Sequence, residues 1–263
     1  MSIFPRTAML LAACALVLPL GACAGKKVKG DTAYVARDVN TLYGLARERM
    51  QQTDYVSSAA LFAEVERQHP YSVWARRAQL MGAYSYYMAE KYTDAISSAQ
   101  RFLTIHPGNE HAPYASYLIA MSYYQQIADV TRDQKVTQQA QDAFNELVRR
   151  YPQSRYAADA RLKLDLINDH LAGKEMEVGR FYQRAGHWLA AEGRFRQVID
   201  KYQTTSHTPE ALERLVETYL NLGVPSEARK AAAVLGANYP SSKWYKRSYQ
   251  LLSKYAPATA PQG

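Results

Sequence analysis

The sequence predicts an all-α fold, a superhelical solenoid of about five helix-turn-helix repeats. Three observations predict it. Ala, Leu, Tyr, Arg, Glu and Gln recur at helical spacing through long stretches poor in Gly and Pro. An aromatic or His residue before a proline punctuates the chain at His69-Pro70, His106-Pro107, Tyr151-Pro152 and Tyr239-Pro240, with Tyr202-Gln203 in the fourth equivalent place. Counting back from these five points aligns columns of small and large apolar side chains.

Residues 1–22 have the layout of a secretory signal, with Arg6 ahead of an apolar stretch from Ala8 to Leu20 that only Pro19 interrupts. That stretch is too short to cross a bilayer, which takes about 20 apolar residues. It closes in Leu20-Gly21-Ala22-Cys23, which resembles the bacterial lipobox and so implies cleavage before Cys23 and acylation of its thiol. The alternative is an ordinary secreted protein whose cysteine falls beside an A-x-A-type cleavage site. Cys14 would leave with the signal, so no disulfide is expected in the mature chain. Ala24 stands where an Asp would favour inner-membrane retention, so the lipoprotein resemblance implies the outer membrane. Residues 23–37 read as a lipidated tether, and 256–263, with two prolines and small residues, as a disordered tail.

Between tether and tail the columns define each repeat. Twelve residues before each punctuation point stand Ser58, Ala95, Ala140, Ala191 and Ala228, small enough for two helices to approach closely. Eight before stand Phe62, Ala99, Phe144, Phe195 and Ala232, and five before stand Val65, Phe102, Leu147, Val198 and Leu235. Offsets of three and four place these on one helical stripe. Fifteen before, Tyr55, Tyr92, Thr137, Trp188 and Pro225 mark the turn that opens each second helix. Small, large, apolar and then a terminating proline is the tetratricopeptide (TPR) pattern, with a repeat of about 34 residues. The spacings of 37, 45, 51 and 37 call for insertions in the third and fourth repeats. One is the polar stretch Asp129 to Gln134, and the other reads as an added helix from about Tyr156 to Leu171, continuing towards Arg184. The solenoid divides into repeats at 38–128 and 129–255.

Stacked hairpins bury a continuous core and leave a concave surface suited to extended segments. The first helix of each repeat lines that surface, which places Tyr43, Arg47, Arg77, Tyr84, Tyr87, Tyr114, Tyr117 and Tyr124 along a groove of phenols and guanidinium groups. The 21 Tyr against 6 Phe fit partly wet packing and binding surfaces. The net charge of +8 would point to nucleic acid in a cytosolic protein, but export argues against that partner and the charges are scattered along solvated helix faces. Enzyme motifs are missing: no phosphate loop, H-E-x-x-H or C-x-x-C is present. His69 and His106 share a structural column with Tyr151, Tyr202 and Tyr239, while His111 and His207 stand at helix entries. His170 and His187 lack a partner in the sequence, and Asp165 and Asp169 read as a solvated face beside Arg161 and Lys163. Neither catalysis, a metal nor a cofactor is expected.

From Leu42 to about Gln203, and more loosely to Ser253, the chain resembles the BamD family, TPR lipoproteins of the outer-membrane β-barrel assembly (BAM) machinery. The motifs are Leu42-Tyr43-x-x-Ala46, Gln79-Leu80, Ala83-Tyr84-x-Tyr86-Tyr87, Tyr92-x-x-Ala95-Ile96 and Arg101-Phe102-x-x-x-His106-Pro107. Further on come Tyr151-Pro152-x-Ser154-x-Tyr156-Ala157-x-Asp159-Ala160-Arg161, the helix positions from Glu177 through Tyr182, and Ala190-Ala191. The resemblance implies a non-enzymatic scaffold on the periplasmic side of the outer membrane. Implied partners are the POTRA domains of BamA, other BAM lipoproteins and unfolded outer-membrane β-barrel proteins. It assigns the amino-terminal repeats to the carboxy-terminal signal of those substrates and the carboxy-terminal repeats to BamA. The family's Asn-Arg pair reads Gly193-Arg194 here, so Arg194 is the expected BamA contact, with Arg184 and Arg196 nearby as further candidates. Two rivals share the architecture, a TPR lipoprotein adaptor for peptidoglycan and division machinery, and a secretin pilotin.

Overall fold

The computed structural model describes residues 37–257. Cys23, the 1–22 leader, the tether up to residue 36 and the tail beyond 257 lie outside the described residues. Eleven helices fill the described chain: α1 (Val39–Gln51), α2 (Tyr55–Gln68), α3 (Val73–Met88), α4 (Tyr92–Ile105), α5 (Ala112–Tyr124), α6 (Lys135–Arg150), α7 (Arg155–Arg184), α8 (Trp188–Lys201), α9 (Thr208–Asn221), α10 (Pro225–Asn238) and α11 (Lys243–Tyr255). They form five hairpins, α1–α2 through α9–α10, followed by α11, which packs on α9 and α10.

Each boundary has a local cause. Asp38, Asp54, Ser72 and Ser242 turn a side-chain oxygen back onto a first-turn amide of α1, α2, α3 and α11, satisfying donors that have no partner within the helix. Proline opens α5, α9 and α10, where its missing N–H costs nothing. The punctuation column is the C-cap of every second helix. His69, His106, Tyr151, Tyr202 and Tyr239 share φ between −129° and −135° and ψ between 41° and 56°. A following proline disfavours helical backbone at the residue before it. Tyr202 adopts the same conformation ahead of Gln203. Each cap carbonyl then accepts from the amide three residues on, at Ser72, Asn109, Ser154, Thr205 and Ser242.

Turns within the hairpins use one left-handed residue, Thr53 (φ 58°), Glu90 (φ 59°), Gly186 (φ 76°) and Gly223 (φ 73°) in repeats one, two, four and five. Repeat three has the Asp129–Gln134 insertion at this place. Its loop is self-capped: Asp129 Oδ1 accepts from Thr131 N at 2.9 Å and Oγ1 at 2.7 Å, and the buried Gln134 amide donates to the carbonyls of Arg132 at 3.0 Å and Asp129 at 3.2 Å.

The small column, Ser58, Ala95, Ala140, Ala191 and Ala228, is fully buried, as are Phe62, Phe144 and Phe195. In repeat two the large ring moves one turn along, so that Ala99 and Phe102 exchange sizes while filling the same layer. Each core cluster needs the next repeat's first helix: Ala78 of α3 completes the first, Ala115 and Leu118 of α5 the second, and Ala160, Ile167 and Leu171 of α7 the third. No hairpin therefore closes its own core, and stability passes between neighbours.

The helix expected from about Tyr156 to Leu171 and on towards Arg184 is a single unbroken α7 of 30 residues. Nothing between Tyr156 and Arg184 ends a helix, since no proline occurs and Gly173 and Gly179 are accommodated inside it. The insertion loop docks on this extension. Lys174 Nζ donates to Thr131 O at 3.1 Å, and Val130 lies beside Gly173. The two lengthenings of the repeat spacing are thus one feature, a long helix and the loop that covers it.

Candidate functional site: an arginine and tyrosine cleft on the inner face

First helices of the first four repeats contact one another directly, α1 with α3, α3 with α5 and α5 with α7. Along this line lies a cleft of about 660 Å³ lined by Tyr43, Arg76, Arg77, Leu80, Met81, Tyr114, Arg155 and Tyr156, closed at one side by Asn109, Glu110 and His111 of the α4–α5 turn. Tyr43 is fixed by Phe62 at 5.4 Å and Trp74 at 4.6 Å between ring centroids. Tyr114 and Tyr156 meet at 5.5 Å, and Tyr117 stacks on Tyr156 at 5.1 Å. Ordered rings give an apolar wall at little further entropic cost to a ligand.

The polar edge is cationic. Arg76, Arg77 and Arg155 have no carboxylate within ion-pair distance among the described residues. Arg77 lies 5.4 Å from the centroid of the Trp74 ring, and Arg155 lies over Tyr156 while donating to its hydroxyl at 2.6 Å. Glu110 is the acid on the rim, beside His111 at 3.5 Å, and both are largely exposed. Burial pushes the Tyr114 phenol well above its ordinary value, and burial with the hydrogen bond to Asp159 does the same for Tyr117, so both stay neutral donors.

Of the expected groove residues, Tyr43, Arg77 and Tyr114 line this cleft. The others stand elsewhere along the inner helices. Tyr84 and Tyr87 pack half-buried against the Leu80, Ala83 and Leu118 cluster, with Tyr87 also edge-on to Tyr92 and accepting from Gln125 at 3.2 Å. Tyr117 donates to Asp159 Oδ2 at 2.7 Å. Tyr124 packs edge-on to Phe144, with Lys163 5.1 Å from its ring centroid. Arg47 is exposed on α1, outside the cleft lining. Arg76, Arg155 and Tyr156 are cleft residues that sequence reasoning did not single out for the groove. Their only signal was register: Arg76 neighbours Arg77, and Arg155-Tyr156 opens a first helix directly after its N-cap position, Ser154.

The three arginines of the later repeats are also placed. Arg194 on α8 pairs with Glu175 of α7 at 3.0 Å, leaving its side chain 42% exposed. Arg196 pairs with Glu192 at 3.1 Å, which accepts from Tyr219 as well. Arg184 is exposed at the end of α7. Gly193 is exposed, and a Cβ added there would meet no atom within 4 Å. Among the described residues no group of acids, histidines and cysteines is arranged to hold a metal ion. His69 Nε2 bonds to Arg37 O at 2.8 Å and His106 packs edge-on to Phe102, a structural use of that column.

Comparisons of sequence with known proteins point to one family. A family model described as "YfiO: Outer membrane lipoprotein" matches residues 35–235. The chain is 49% identical to a Caulobacter vibrioides protein named "Outer membrane protein assembly factor BamD", over 94% of this chain and 81% of that one. Proteins of the same name from Rickettsia prowazekii and Neisseria meningitidis are 43% and 34% identical, over 95% and 89% of this chain and 98% and 92% of theirs. Among solved structures, the TPR domain of P58(IPK) aligns with a TM-score of 0.43 at 15% identity, covering 81% of this chain and 55% of that one. A TPR protein of Thermus thermophilus aligns with a TM-score of 0.37 at 18% identity, covering 82% and 99%.

Proposed function

The chain belongs to the BamD family of outer-membrane protein assembly factors, and on that premise we propose that it is a non-enzymatic scaffold which holds the carboxy-terminal segment of an unfolded β-barrel protein in the inner cleft. It acts in outer-membrane protein assembly, at the outer membrane. An acylated Cys23 anchors it on the periplasmic side. Its later repeats dock on the POTRA domains of BamA, with Arg194 as the principal contact and Arg184 and Arg196 beside it. Residues 38–128 contribute most of the substrate cleft and 129–255 the BamA-binding half.

One observation supports the substrate reading above the rest: Arg76, Arg77 and Arg155 have no carboxylate partners at the edge of a cleft walled by Tyr43, Tyr114 and Tyr156. A barrel's last strand alternates apolar and polar side chains and ends in an aromatic residue with a free carboxylate. Phenol faces cover the apolar side chains, and guanidinium groups make charge-assisted, often bidentate, bonds to the terminal carboxylate.

The test compares a barrel-terminal peptide carrying a free carboxylate with the same peptide ending in an amide. Changing Arg76 and Arg77 together to Ala should weaken the free-acid peptide about 10- to 100-fold, the worth of hydrogen bonds to a charged group, and leave the amide peptide little changed. Equal losses for both peptides with intact helicity would overturn the carboxylate assignment. Affinity purification from solubilised outer membrane should recover BamA as the main partner, whereas division or secretin proteins in its place would overturn the scaffold assignment.

A further inference from the structure

We propose that the outward face of α11 is a second membrane contact, which docks on anionic phospholipid head groups. Lys243, Lys246, Arg247 and Lys254 give this 13-residue helix four cations and no carboxylate, half of the whole chain's net charge of +8. Its inner side faces the solenoid, with Ser248 buried and Trp244, Leu251 and Leu252 half-buried against α9 and α10. Lys243, Lys246 and Lys254 are exposed with Gln250 and Ser253, the exposed Tyr249 stands one turn from Lys246, and Tyr255 is exposed in the last turn beside Lys254.

The four cations are handled differently. Arg247 is drawn inward, its Nε 2.8 Å from Glu213 Oε1 and its Nη2 3.5 Å from Glu217 Oε2, while Arg214 and Arg180 pair with Glu210. The acids beneath the helix are therefore compensated from within. The three outward lysines have no carboxylate at ion-pair distance among the described residues, and Lys243 and Lys254 instead lie 4.6 and 4.9 Å from the ring centroids of Trp244 and Tyr255.

Lysine rather than arginine on the free side favours lipid over an acidic protein. A compact, strongly hydrated charge on a flexible stem suits a diffuse anionic surface, whereas protein interfaces enrich Arg and deplete Lys. Tyrosines beside the lysines match the amphipathic character of the head-group region. The α11 helix also ends the solenoid that α1 begins. With the proposed anchor at Cys23, on which this reading rests, contact at the far end lays the body along the membrane instead of letting it swing from one point.

The test reconstitutes the full chain alone into vesicles of phosphatidylcholine, or of phosphatidylcholine and phosphatidylglycerol in equal parts. With neither BamA nor a barrel peptide present, the outcome is independent of the cleft assignment above. Reaction of Lys246 with an amine-reactive reagent is followed by mass spectrometry against the exposed Lys91 as internal reference. At low salt, Lys246 should be modified roughly tenfold more slowly in the anionic vesicles, with the difference lost at high salt. Lys243→Glu with Lys254→Glu should abolish that protection while Lys246 remains as reporter and circular dichroism stays unchanged. Equal modification in the two vesicle types overturns the proposal and leaves an acidic protein as the partner of this face. Protection that survives high salt or appears in pure phosphatidylcholine overturns it as well.

Discussion

Replacing Gly179 with Ala inside the long α7 helix tests the packing of its extension against α8. A Cβ there would stand 2.5 Å from Phe195 Cε1, 2.8 Å from Cδ1 and 2.9 Å from Cζ. The ring cannot swing away, because Phe195 is fully buried among Ala172, Met176, Ala191, Val198 and Ala211. Overpacking of this kind costs about 1–3 kcal/mol. Alanine returns about 0.8–1 kcal/mol of helix propensity, so the net loss is up to about 2 kcal/mol. Gly193→Ala on α8 is the matched control, exposed and with no atom within 4 Å, and it should gain up to about 1 kcal/mol. At about 2–4 °C per kcal/mol, the first variant should melt up to several degrees below the parent and the second slightly above it, followed by far-ultraviolet circular dichroism of the full chain. Hydrogen exchange should locate the loss in α7 and α8, since repeats open as neighbouring units. Phe195→Leu added to Gly179→Ala should cost less than the sum of the two changes. A Gly179→Ala midpoint raised above the parent's as much as that of Gly193→Ala would refute the close crossing.

Other expectations concern charge, turns and the anchor. Burial at the α9–α11 contact pushes the Glu213 carboxyl up to about 7 against the pull of Arg247 and Arg214. The folded chain then keeps a proton that the unfolded chain releases, so this residue's contribution is greatest below about pH 4.5 and is lost as pH rises through about 7. Glu213→Gln should remove that component of the decline in melting midpoint between acid and neutral pH, and an unchanged slope counts against it. Tyr117→Phe removes the 2.7 Å bond to Asp159 and should cost about 1–2 kcal/mol in urea unfolding. Gly186→Ala and Gly223→Ala, at φ of 76° and 73°, should each lose about 1 kcal/mol, whereas Glu90→Gly, at φ 59°, should be neutral or stabilising in the same melts. Cys23→Ser should leave helicity and melting unchanged while shifting the chain from membrane to soluble fractions.

Much of the architecture was legible because a repeat writes its own alignment. Five punctuation residues shared one column, and they became C-caps with one backbone conformation because each repeat meets the same steric demand between its second helix and the next turn. The small column was readable for a similar reason, since any residue larger than Ser or Ala at Ser58 or Ala191 would separate the helices. The inner cleft was only half legible. Register alone marks which residues lie on a first helix, and so it grouped Tyr84, Tyr117 and Tyr124 with Tyr43 and Tyr114. It does not say which of them rotate into a cluster between repeats, because that depends on how far each hairpin turns relative to its neighbour.

The sequence by itself determined the all-α class, the repeat frame, the family and an anchor motif at Cys23, since periodicity and local steric rules act along the chain. Tertiary structure decided what sequence distance conceals. Arg76 and Arg155 reach one cleft from different repeats, the Asp129–Gln134 loop covers the long α7 helix, and the α9 acids draw Arg247 inward while three lysines of α11 remain outside. Each depends on the angle and depth at which hairpins stack, and those are set by buried contacts between residues far apart in the chain.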